Sequence, residues 1–167
     1  MEARNKWYLR PTNMARGLAL AIWLAGTVVV LAIYQGEDRS ALWGHLSGSC
    51  ALLFFYSFLI PFIARIAKHQ DLRSKVNYMF VFFYLAMLVF LLLRIGITLL
   101  DIAAGPITEN VTIVDRWNPK RGGDHVKTSD GSNYEIHKEH VYMEVGHTYR
   151  AKLFRYNRLI ISLEQVK

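Results

Sequence analysis

The chain has 167 residues, of which 53% are apolar, a single cysteine and a formal net charge of +7. That length bounds it to one or two small domains, and the lone Cys50 excludes an intrachain disulfide. Residues 106–167 carry ten Lys or Arg against eight Asp or Glu, so the excess charge lies in the N-terminal tail and one helix–helix loop and argues for membrane orientation rather than nucleic-acid binding.

Residues 1–16 form a basic tail with Arg4, Lys6, Arg10 and Arg16. Residues 17–104 then hold three apolar stretches, predicted as membrane-spanning helices at about 17–34, 41–64 and 76–104. Each approaches or exceeds the roughly 20 residues that a helix needs to cross about 30 Å of hydrocarbon. The first is longer than a signal-peptide core and has no A-x-A-like cleavage site after it, so it reads as an uncleaved anchor. The segment QGEDRS (35–40) reads as a loop with one cation, Arg39, whereas the next loop has Arg65, Lys68, Arg73 and Lys75. Positive charge gathers on the cytoplasmic side of short loops. The expectation is a multi-pass membrane protein with a cytoplasmic N-terminus and an extracytoplasmic C-terminal domain. Trp7, Tyr8, Tyr34 and Trp43 fall where interfacial aromatic anchors belong, and Pro61 is placed to kink the second helix.

Gly105 and Pro106 end the third helix. From there the pattern changes to period two. Val111–Trp117, His125–Thr128, Asn133–His137, Val141–Val145, Thr148–Phe154 and Leu159–Gln165 are the alternating stretches, with Asp130–Gly131 as a hairpin turn. They predict an all-β domain of about five short strands at 105–167, OB-like or SH3-like if it closes into a barrel. A disulfide-free domain of this size is marginal alone, so it is expected to lean on the helices, on lipid or on a partner. The run WNPKRGGD (117–124) reads as a hairpin loop.

Three groups of residues carry the functional expectations. Gly44, Ser47, Gly48 and Ala51 share one face of the second helix, a small-residue stripe of the kind that lets helix backbones approach closely in lipid. It serves either a partner or the chain's own helices. His45, Arg94 and Asp101 form a polar cluster at outer-leaflet depth, suited to an anion or a lipid headgroup unless Arg94 simply snorkels to water. Arg150, Lys152, Arg155 and Arg158 form a basic patch interleaved with Phe154 and Tyr156, which outside the cytoplasm suits anionic lipid or an acidic partner. His125, His137, His140 and His147, near Asp124, Glu135 and Glu139, lack metal-ligand spacing, so no metal is expected. Asn110-Val-Thr112 matches a glycosylation sequon.

No P-loop, nucleophile elbow or dinucleotide fingerprint occurs, and no cofactor is expected. The sequence therefore points to a non-enzymatic accessory or regulatory subunit. Its helices would dock in the bilayer to a larger membrane protein or to further copies of the chain, and its β-domain would cap the assembly from outside. A small-molecule, ion or lipid-headgroup binding or transport protein is the alternative, and a metal-binding enzyme the second alternative.

Overall fold

The computed structural model describes residues 10–69, 74–118, 124–137 and 143–166. The expected anchors Trp7 and Tyr8, the cations Arg4, Lys6 and Arg73, and His140, Glu139 and Val141 lie outside the described residues, as does most of WNPKRGGD. The chain divides into two compact units, one of residues 1–32 and 43–96, the other of residues 33–42 and 97–167.

The helices are α1 (Pro11–Ile33), α2 (Gly36–Tyr56), α3 (Ile60–Lys68) and α4 (Lys75–Ala104). They supply three segments long and apolar enough to cross a membrane, Pro11–Ile33, Gly36–Lys68 and Lys75–Ala104. The first begins six residues before the expected Gly17, because Pro11 suits the first turn of a helix, where no N–H partner is needed. The expected loop QGEDRS is a further correction. Only Tyr34 and Gln35 are non-helical there, and α2 starts at Gly36. Gly36 has φ 55°, a left-handed conformation that reverses the chain within two residues. Glu37 and Asp38 then occupy the first turn of α2, where the helix dipole favours negative charge.

The second span is not one regular helix. A 3-10 turn at Ser57–Leu59 separates α2 from α3, with Pro61 in the first turn of α3. Proline lacks an N–H and collides with the carbonyl four residues back, here that of Ser57, which breaks the α-helical ladder at that point.

In the helical unit α1 meets α2 at Gly26, where a Cβ would sit 2.5 Å from Leu46 Cδ2. The Trp23 indole donates to Ser47 Oγ at 2.9 Å. Arg16 donates through Nε to Ser57 Oγ at 3.0 Å and lies 3.8 Å from the centroid of the Phe58 ring. Only 17–22% of each apolar span is buried, and the outward-facing remainder includes Leu24, Val28, Phe82, Phe83 and Leu93. Surface of that kind is stable in a hydrocarbon solvent and not in water.

The second unit holds five strands, β1 (Ile107–Trp117), β2 (His125–Thr128), β3 (Asn133–Ile136), β4 (Thr148–Phe154) and β5 (Leu159–Gln165). β1 starts four residues before the expected Val111, because Ile107–Asn110 pair with Arg150–Leu153 of β4. Of the expected stretch Val141–Val145 the described residues are 143–145, and these are not in a strand. Met143 is buried, but Val145 and Gly146 form a turn whose Gly146 N–H donates to Ile113 O at 2.8 Å. The strands pair in the cyclic order β1-β2-β3-β5-β4, with β1 antiparallel to both β2 and β4, and β3 parallel to β5.

One core fills this sheet: Val111, Ile113, Val126, Ile136, Met143, Tyr149, Ala151, Leu153 and Ile160. At its end the alternation stops, since Leu153 and Phe154, and Leu159, Ile160 and Ile161, are buried consecutively. Successive strand residues point to opposite faces, so the sheet is covered on both sides there. The second cover comes from helix ends within the same unit, where the Phe154 ring packs edge-on to Tyr34 with centroids 6.3 Å apart.

Candidate functional site

The three expected sites fare differently in their surroundings. On α2, Gly44 and Gly48 are exposed, with nothing within 4 Å of where a Cβ would stand. Ala51 is exposed as well, while Ser47 is half-buried under its bond from Trp23. The inward face of α2 is a different one, made of Leu42, Leu46, Ser49, Cys50 and Leu53. Among the described residues, Gly44 and Gly48 are therefore not where α2 packs on the other helices of its unit, whereas Ser47 meets α1 through Trp23. Beside it runs an open apolar groove of about 250 Å³, lined by Trp23, Ser47, Cys50, Ala51, Phe54 and Phe55 among others.

His45 and Arg94 meet within the helical unit, at 3.4 Å between Arg94 Nη2 and His45 Nδ1. Arginine can only donate, so Nδ1 is the acceptor and the imidazole is neutral in this geometry. Arg94 lies nineteen residues beyond Lys75 on one helix, which is about 28 Å at 1.5 Å per residue.

Asp101 belongs to the other unit and its carboxylate is fully buried. Both oxygens are engaged by the β4–β5 turn. The Tyr156 N–H donates to Oδ1 at 3.0 Å, and the Asn157 N–H and side-chain amide donate to Oδ2 at 2.7 and 2.8 Å. Three N–H donors compensate the desolvation of the carboxylate. Asp101 is thus a fastening between the end of α4 and the turn at residues 155–158.

The fastening has companions that sequence inspection missed. Tyr34 donates through its hydroxyl to Ile102 O at 2.7 Å, and Arg39 Nε donates to Tyr34 O at 2.9 Å. Lys152 Nζ lies 2.6 Å from Asp38 Oδ2, and Ser40 Oγ lies 3.1 Å from His137 Nε2. Together they form a polar collar around the sheet end that carries Phe154. Its members are 55 to 114 residues apart in pairs such as Asp101–Tyr156 and Asp38–Lys152, so no local pattern announces them. Tyr34, outside the spans, has its pKa raised, first by burial and then by Asp38 and Asp101.

The collar divides the expected basic patch. Lys152 is half-buried in its pair with Asp38. Arg150 is exposed on β4, opposite Asn110 of β1 and Glu164 of β5. Arg155 and Arg158 are exposed on the turn that Asp101 holds.

Of the histidines, His125 stacks on Trp117 with centroids 5.5 Å apart, and His147 lies 3.2 Å from Glu144. Among the described residues no three His, Cys, Asp or Glu side chains converge as metal ligands. Buried Asp124 pairs with Arg116.

No protein-family model, curated protein or solved structure matches this chain.

Proposed function

We propose that this chain is a non-enzymatic accessory subunit of a larger membrane complex. One observation carries the reading: the Gly44–Gly48 face of α2 is open, with nothing within 4 Å of either glycine's Cβ position. Small residues favour close helix–helix approach in lipid, and among the described residues none of the chain's own helices packs on Gly44 or Gly48. The groove beside Ala51 and Phe55 extends that surface. The N-terminus lies in the cytoplasm in this reading, as the eight cations of the tail and the 65–75 loop suggest. The β-domain lies on the opposite side and caps the partner. An OB-like barrel suits its cyclic strand order and its parallel β3–β5 pair.

The test is a mild-detergent pull-down of tagged chain from its native membrane, with wild type beside Gly48→Leu. One stoichiometric membrane partner retained by wild type and lost by the variant is the expected result. Recovery of the chain alone in both cases overturns the reading.

The His45–Arg94 pair favours a second reading, a binding or transport protein with a polar site in the leaflet on the β-domain side. Arg94→Leu would then abolish ligand binding or flux, and an unaltered assay excludes it.

A further inference from the structure

The β4–β5 turn carries two exposed arginines, Arg155 and Arg158, around Tyr156, which is 47% exposed. Its place is set by the Asp101 carboxylate, which holds the backbone of Tyr156 and Asn157 against the end of α4. Beyond the exposed Arg94, the outward surface of α4 is apolar up to the residue before Asp101: Ile97, Leu99 and Leu100 are 36%, 37% and 52% exposed. Asp101 is twenty-six residues beyond Lys75, a rise of about 39 Å. A bilayer is about 30 Å across its hydrocarbon and 40–45 Å with its headgroups. With Lys75 placed in the headgroup layer of the opposite leaflet, Asp101 falls in the headgroup layer on the side of the β-domain, and so does the turn bonded to it.

We propose that Arg155, Tyr156 and Arg158 form a contact for the phosphates of anionic lipid headgroups, in the leaflet on the side of the β-domain. The chemistry fits at each position. Guanidinium donors match phosphate oxygens in fork geometry, and tyrosine prefers the membrane–water interface. Of the acidic groups around the turn, Asp101 is engaged by the Tyr156 and Asn157 N–H groups and Asp38 by Lys152, while Glu135 meets Arg158 through its backbone N–H. Glu37, at the first turn of α2, is the remaining carboxylate of the helix ends. The inference needs the spans and the Asp101 fastening, and it is independent of any protein partner.

Two measurements on the full chain test it. In the first, Cys50 is replaced by Ala and nitroxides are attached in separate samples at Tyr156→Cys and Lys127→Cys, the latter being exposed on β2. Depth is read in phosphatidylcholine–phosphatidylglycerol vesicles from collision with oxygen against an aqueous nickel chelate. The Tyr156 label is expected at headgroup depth and the Lys127 label in water. A Tyr156 label as open to nickel as the Lys127 label overturns the proposal.

The second compares phosphatidylglycerol retention, by native mass spectrometry from mixed nanodiscs, for wild type and Arg155→Gln/Arg158→Asn. Asparagine is chosen because Arg158 has φ 54°, a conformation asparagine tolerates. Arg65→Gln/Lys68→Gln is the control for lipid held at the other end of the spans. The turn variant is expected to lose about fivefold in apparent affinity per arginine, with unchanged melting temperature. Retention equal to wild type overturns the phosphate contact even where the label lies at headgroup depth. Should the double variant melt early, Arg155→Gln alone decides, since residue 155 has no positive φ.

Discussion

The two units of this chain solve the burial problem in opposite ways. The helical unit leaves most of each span outward-facing and apolar, with one tight helix contact at Gly26 and few polar bonds. The β-containing unit has a closed strand order, a nine-residue core and a collar of charged and hydroxyl groups. The first relies on lipid as the solvent for its surface, so its own contacts only align the helices. A disulfide-free β-domain of about 60 residues is marginal alone. It recruits Ile33–Leu42 and the end of α4 as part of its own fold. The expectation that the β-domain leans on the helices thus has a physical form, a covered second face at Phe154 and a buried carboxylate beneath the turn.

Removing that carboxylate should break the comparison most sharply. Asp101→Ala leaves the Tyr156 and Asn157 backbone N–H groups without their acceptor, a loss of about 3 kcal/mol. Protease resistance and near-ultraviolet circular dichroism of the β-domain should collapse while far-ultraviolet helicity persists. Equal loss of both signals would mean that the units unfold as one.

A smaller contrast lies inside the helical unit. Gly26→Val drives a branched side chain into Leu46, which is itself fully buried, and should destabilise by about 2 kcal/mol. Gly48→Ala meets open space and should be neutral, or stabilising by up to about 1 kcal/mol through helix propensity. Thermal melts of the two variants in one detergent check the pair. Should Gly48→Ala prove as damaging as Gly26→Val, α2 packs on its open face after all.

Titration sharpens the picture further. Tyr34 has its pKa raised above 10.0, so the stability from its neutral hydroxyl is present below pH 10 and is lost as pH rises through the raised value. Alkaline melting of the β-containing unit should be shallower in Tyr34→Phe, which has also lost about 1 kcal/mol at neutral pH with the bond to Ile102 O. A pH profile parallel to wild type would deny the phenol a part in it.

The smallest effect is expected at the β2–β3 turn. Asp130 has its pKa lowered below 3.8, first by the Thr128 hydroxyl and then by the Ser132 N–H and hydroxyl. A depressed carboxylate contributes stability above its unfolded pKa, and that contribution fades as pH falls through the folded value. Amide exchange at Ser132 should therefore quicken only below pH 3.8 in wild type and show no such step in Asp130→Asn.

Much of the architecture was legible because it is local. Continuous apolar runs announced the spans, period-two alternation most of the strands, and Gly105–Pro106 the stop of α4. Gly105 indeed caps α4, with φ 77° and its N–H on Asp101 O. What escaped was decided by distant partners or by a single backbone angle. QGEDRS looks like a loop because it is polar, but Gly36 turns the chain so tightly that the polar residues become the first turn of a helix. Val141–Val145 alternates like a strand, yet Gly146 bends there onto Ile113. His45, Arg94 and Asp101 looked like one cluster at one depth. The structure joins the first two and gives Asp101 to a turn 55 residues away.

The strand order also sets a timetable for biogenesis. β1 is eleven residues long and pairs with β4 along Ile107–Thr112. Thirty residues separate the end of β1 from the start of β4, so at ribosomal speeds the nascent strand waits roughly 2 to 6 s with an open edge. During that interval Val111 and Ile113, buried in the folded core, lack its β4 members Tyr149, Ala151 and Leu153. The strand's protection then falls to lipid, to a chaperone or to a partner already in place, and assembly order becomes a determinant of yield.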